Sequence, residues 1–91
     1  MRFQGTKAFH RMWNKLSPDR QARAEEALKA VETAFQGRLK PGGLGLKKLK
    51  DPFWEVRTDL KDRIIFALEK DLVTFVLIGN HDEVHRFLRS N

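Results

Sequence analysis

Four side chains in the second half of the sequence are of types that could do chemistry together: Arg57, Arg63, His81 and His85. Histidine is the side chain whose ordinary pKa lies near neutrality, so it can take or give a proton at physiological pH. Arginine presents a planar fork of N–H donors that matches the oxygens of a phosphate. His81 follows Gly79-Asn80 at the expected end of a strand, where a loop can present it; the plainer alternative is a surface histidine in a turn. His85 lies four positions on and shares a face with His81 if the tail is helical. A His-x-x-x-His pair can also bind zinc, but two ligands without a third do not define a site, so neither metal nor other cofactor is expected. Arg63 opens a strand on its polar face, where it could hold a phosphate or form an edge salt bridge to Asp59 or Asp62. Arg57 falls on the same predicted face, as a second clamp or as a partner for Glu55. His10 falls between the stripe positions of a helix and is assigned to solvent.

A basic cluster stands upstream of these residues. Arg38, Lys40, Lys47, Lys48 and Lys50 all occur before the next acid, Asp51. Lys47, Lys48 and Lys50 could touch a nucleic-acid backbone by charge, without reading sequence; the alternative is a solvated basic loop. The formal net charge is +6 on 91 residues. A domain this small and this basic should attract polyanions.

Other chemistries are excluded or disfavoured. There is no cysteine, which removes disulfides, thiolate catalysis and cysteine-ligated zinc. The Gly-rich stretch from Gly37 to Gly45 lacks the GxxxxGK[ST] pattern of a nucleotide-binding loop, and no strand is predicted before it. No apolar run reaches membrane-spanning length. Met1-Arg2-Phe3-Gln4-Gly5 carries no apolar h-region, so no signal peptide is expected and the cytoplasm is the expected compartment.

The elements that must position these side chains follow from period and punctuation. Met1 to Gly5 is compatible with a short edge strand. Thr6 can cap a helix whose apolar stripe is Phe9, Met12, Trp13 and Leu16. Ser17-Pro18 is a strong helix start, with Asp19 complementing the dipole. Ala24, Ala27, Leu28, Val31 and Phe35 keep the helical period until Gly37 stops it. From Phe53 the period becomes two. Trp54 and Val56 point one way; Phe53, Glu55 and Arg57 point the other. After a polar turn at 59–62, Ile64, Phe66 and Leu68 alternate with Arg63, Ile65 and Ala67. Lys70-Asp71 turns the chain into Leu72–Ile78, apolar on both faces as a central strand would be. His81 to Arg89 reads as a tail of one or two helical turns. The expectation is a single α+β domain over residues 1–91. A helical hairpin packs on a twisted antiparallel sheet, and the opposite face, with Glu55, Arg57 and Arg63, stays open. A core this small should be only marginally stable alone, so a bound partner could add much of its working stability.

The order of these pieces resembles the RelE/ParE toxins of type II toxin–antitoxin modules. The resemblance runs from Ala8-Phe9 through Lys15-Leu16-Ser17-Pro18 and the amphipathic helix. It continues with Leu46-Lys47-Lys48-Leu49-Lys50, Trp54-Glu55-Val56-Arg57, Asp62-Arg63-Ile64-Ile65-Phe66 and Val76-Leu77-Ile78-Gly79-Asn80-His81. The Gly-x-His ending is similar to the YafQ-type branch, in which a side chain four positions on also contributes. The resemblance implies an endoribonuclease that cuts mRNA in the ribosomal A site, and an antitoxin that wraps and blocks it. Metal-free RNA cleavage needs a base for the 2′-hydroxyl, positive charge on the phosphorane oxygens and an acid for the departing 5′ oxygen. On this pattern His81 is the acid or base and Arg63 the phosphate holder, with Arg57 as a second clamp. His85 is a second proton carrier or a ring that stacks on a base. Glu55 departs from the RelE pattern, in which a basic residue often stands nearby, whereas some relatives use a glutamate as base. The alternative within the same fold is a ParE-like gyrase inhibitor without nuclease chemistry, or a degenerate member with little activity.

Overall fold

Hydroxyl caps set the first two helices where the sequence predicts them. The computed structural model describes residues 1–37, 45–58 and 61–91. Thr6 Oγ1 accepts from the Phe9 amide at 3.0 Å and starts α1, Lys7–Asn14. Ser17 Oγ accepts from the Arg20 amide at 3.3 Å, Pro18 takes the first helical position, and α2 runs Pro18–Phe35. Each cap satisfies an N–H that the first turn leaves without a helical acceptor. Gly37, at φ +79°, follows the end of α2 in the left-handed region that glycine enters most easily.

The strands are β1 (Arg2–Gly5), β2 (Leu46–Lys48), β3 (Phe53–Arg57), β4 (Arg63–Glu69) and β5 (Leu72–Gly79), and they form one sheet in the order β1-β5-β4-β3-β2. From β2 to β5 neighbours pair antiparallel, as short turns require. β1 instead runs parallel to β5, from Arg2 opposite Leu72 to Gly5 opposite Phe75, so the sheet is mixed rather than wholly antiparallel. The segments between β1 and its partner include both helices, which supply the long connection a parallel neighbour needs. β2 is also an addition to the expected meander. A strand of three residues is too short for an alternating pattern to show in sequence. Arg38, Lys40 and most of the Gly-rich stretch lie outside the described residues, as does Asp59.

The helical hairpin covers one face of the sheet. Phe9 of α1 and Ala24, Ala27 and Val31 of α2 pack with Val56, Ile64, Phe66, Val73, Phe75 and Ile78. The small residues on α2 let its backbone approach the strands, and Phe35 meets Trp54 and Phe66 edge-on, with ring centroids 6.0 and 5.8 Å apart. β5 keeps both faces apolar through a register shift. Ile65 pairs with Leu77 but Phe66 with Phe75, so Val76 is the extra residue. Val73 and Phe75 therefore face the hairpin, and beyond the bulge Ile78 does so while Leu77 faces away.

The opposite face is not wholly open, which corrects the expectation from sequence. The C-terminal tail is a full helix, α3 (His81–Ser90), and its Val84, Phe87 and Leu88 cover Ile65, Leu77, Leu49 and Phe53. Phe87 and Phe53 meet edge-on, ring centroids 5.1 Å apart. The signal for a long helix was local: Asn80 and Glu83 form a capping box, Glu83 N donating to Asn80 Oδ1 and Asn80 N donating to Glu83 Oε1, each at 2.9 Å. No helix among the described residues is long and apolar enough to cross a membrane.

Candidate active site

What α3 leaves uncovered is a cleft of about 550 Å³ lined by Gly45, Leu46, Lys47, Glu55, Arg57, Arg63 and His81. Three strands and one helix end meet here, and register explains which side chains converge. Arg57 stands opposite Arg63, and Arg63 opposite Gly79. Cross-strand partners point to the same face, so both guanidiniums emerge beside the backbone that leads through Asn80 to His81. Two positions further along β3, and so on the same face, Lys47 stands opposite Glu55. The result is a row of three cations with one carboxylate among them.

That carboxylate is buried. Glu55 is 4% exposed and accepts a hydrogen bond from Arg63 Nη1 at 3.3 Å. The Arg63 side chain is 26% exposed, so it is held by Glu55 through Nη1 and still reaches solvent. The pairing differs from the sequence alternatives, which offered Asp59 or Asp62 to Arg63 and gave Glu55 to Arg57. Asp62 is taken by Arg20 instead, and Arg57 is exposed.

His81 lines the cleft from the first residue of α3, not from a loop. His85 sits one helical turn on, with its ring centroid 4.2 Å from that of His81. Both are exposed, and His85 does not line the cleft. Gly79 permits this helix entry. A Cβ there would come within 2.9 Å of Glu83 Oε1 and 3.1 Å of Glu83 Cβ, so the first turn of α3 crosses directly over the glycine.

The basic cluster divides. Lys47 reaches the cleft. Lys48 is the next residue of the strand and so points to the other face, and Lys50 lies in the turn before β3, where its carbonyl accepts from the Phe53 amide at 2.8 Å. Lys48 and Lys50 are exposed, and neither lines the cleft. His10 is exposed on α1. Among the described residues no three His, Asp or Glu side chains come together as metal ligands would. Sequence reasoning missed Glu83 and Arg20. Asn80-x-x-Glu83 could have signalled the first; nothing in sequence pairs Arg20 with Asp62 across 42 positions.

No protein-family model and no curated protein matches this chain. Solved structures do. The RelB–RelE antitoxin–toxin complex from Methanococcus jannaschii contains a chain that is 16% identical, with a TM-score of 0.68, covering 96% of this chain and 98% of that one. A chain of the intact E. coli RelBE toxin–antitoxin complex is 14% identical, with a TM-score of 0.64 over 87% of this chain and 94% of that one. YafQ from E. coli strain BL21(DE3) is 13% identical, with a TM-score of 0.64 over 92% and 98%. At these identities the likeness is one of fold: the chain has the RelE-like toxin fold.

Proposed function

We propose that this chain is the toxin of a type II toxin–antitoxin pair, an endoribonuclease that cuts mRNA in the ribosomal A site. The observation that carries the reading is the convergence of Arg63, Arg57, Lys47 and His81 on one cleft from three strands and a helix end. A binding protein needs no group that exchanges protons near neutral pH beside a row of cations. An RNA phosphodiester needs both.

The reaction is attack of a ribose 2′-oxygen on the neighbouring phosphorus. A new P–O2′ bond forms, the P–O5′ bond breaks, and the products are a 2′,3′-cyclic phosphate and a 5′-hydroxyl. The 2′ proton leaves to a base, and the 5′ oxygen receives a proton from an acid. Arg63 and Arg57 hold the non-bridging oxygens, where negative charge grows in the transition state. Glu55 turns the Arg63 fork and holds it in place. In-line displacement separates the attacking and leaving oxygens across the phosphorus. Two imidazoles in contact therefore serve the same end: His81 exchanges one of the two protons, solvent water in the open cleft exchanges the other, and His85 supports the His81 ring or stacks on a neighbouring base. Lys47 attracts the flanking backbone by charge.

The chains of similar fold in the RelB–RelE and RelBE complexes are paired with antitoxins, which supports an antitoxin as the partner here. Its site would be the same cleft and α3, in the cytoplasm with the ribosome. Inducible expression followed by primer extension on cellular mRNA tests the reading. Cuts within translated codons are expected. Intact mRNA together with blocked DNA supercoiling would give the ParE-like alternative instead.

A further inference from the structure

Arg20, with a side chain 46% exposed, pairs with the buried carboxylate of Asp62. Asp62 is 4% exposed, and Arg20 grips it with two prongs, Nε to Oδ2 at 2.9 Å and Nη2 to Oδ1 at 2.6 Å. Arg20 belongs to the first turn of α2. Asp62 also closes the mouth of the β3–β4 hairpin: its carbonyl accepts from the Thr58 amide at 3.1 Å and the Thr58 hydroxyl at 3.2 Å. The next residue is Arg63. Neighbours entering a strand point to opposite sides, so Asp62 is held from behind while Arg63 faces the cleft.

A longer-range, electrostatic link runs to α3. The Arg20 pKa is pushed up, first by its hydrogen bond to Asp62, against some burial, and further by the charges of Asp62 and Glu83. Arg20, Lys61, Asp62, Asn80 and Glu83 line a shared cleft of about 420 Å³. Glu83 is the residue that caps Asn80 and presses on Gly79. Gly79 is in register with Arg63, and Asn80 immediately precedes His81. An ion pair with one buried partner is a weak source of stability but can fix one arrangement among several.

We propose that Arg20 is a positioning residue. Its two-pronged grip on Asp62 fixes the start of β4, and its charge faces Glu83 of the first α3 turn across the shared cleft, and so it sets Arg63 against His81. This role rests on the nuclease reading, in which those two side chains carry the chemistry.

The test compares wild type, Arg20→Gln, Arg20→Lys and Arg20→Gln/Asp62→Asn. Four quantities are measured: single-turnover cleavage on programmed ribosomes at saturating protein, ribosome affinity, melting temperature and the imidazole NMR signals. A misplacement of about 1 Å can cost about 10²-fold in rate, so Arg20→Gln should cut about 10–100-fold more slowly. Its affinity should stay within about twofold. The His81 and His85 signals should move while those of His10 do not. Arg20→Lys should recover part of the rate, and Asp62→Asn should add little to Arg20→Gln, because the two act as a unit. Weakened affinity at full saturating rate would make Arg20 an RNA contact and overturn the proposal. So would a rate loss that disappears once the temperature is low enough for full folding. If wild type cuts no RNA, the nuclease reading falls by itself. Positioning is then judged on the imidazole signals: unchanged signals in Arg20→Gln overturn it, and shifted ones uphold it.

Discussion

Arg63 must satisfy two partners with one guanidinium. Glu55 holds the fork through Nη1 from within the sheet, and the nuclease reading gives its remaining donors to the scissile phosphate. Arg63→Lys separates the two demands. A lysine keeps the positive charge beside Glu55 but cannot serve both partners in fixed geometry. Cleavage should fall about 10²-fold, the loss typical of removing one charge-stabilising donor. A melting temperature near that of wild type would accompany it; a variant that unfolds would instead make Arg63 a structural residue. His81→Ala should lower the chemical step by roughly 10²–10⁴-fold with little change in ribosome binding. A variant as toxic as its parent at equal expression would remove His81 from the mechanism. At this scale much was legible in sequence, because histidine and arginine at strand ends are distinctive types. Partner choice was not. Glu55 alternates onto the same face as both Arg57 and Arg63, and only the paired register shows which of them it holds.

Elements decide which of the basic residues can act at the cleft. Lys47, Lys48 and Lys50 look alike in sequence, but β2 turns Lys47 alone into the cleft. Lys47→Gln should therefore reduce the salt slope of RNA binding by roughly 0.7–0.9, one phosphate contact, while Lys48→Gln and Lys50→Gln leave it unchanged. Equal effects from all three would mean diffuse attraction rather than a contact. The helix α3 matters in a different way. It carries His81 at its first position, and Asn80 caps it. Asn80→Ala should destabilise the protein by about 0.5–2 kcal/mol, and urea unfolding measures this. The helices α1 and α2 were readable from caps and apolar spacing, because those signals are local. The strand β1 was readable only as a candidate, and its parallel pairing with β5 depends on residues some 70 positions apart. The extent of α3 was underestimated because its inward stripe, Val84, Phe87 and Leu88, is short and interrupted by charges.

The whole molecule combines a small core with an excess of positive charge. Its two apolar clusters lie on opposite faces of a single sheet, and α3 closes the second with only a few side chains. A partner that binds only the folded chain adds stability by mass action, about 2.7 kcal/mol at a hundredfold excess over Kd. On the toxin–antitoxin reading proposed above, an antitoxin should therefore raise the melting temperature of this chain as it silences it. The central claim is that this cleft cuts RNA through His81, and one measurement bears on it most directly. Purified chain is mixed with ribosomes carrying a defined mRNA and a known A-site codon, and the ends of the fragments are analysed. The account predicts a cut within that codon that leaves a 2′,3′-cyclic phosphate and a 5′-hydroxyl, slowed by roughly 10²–10⁴-fold in His81→Ala. Intact mRNA, or a cut that His81→Ala makes at the wild-type rate, would contradict it.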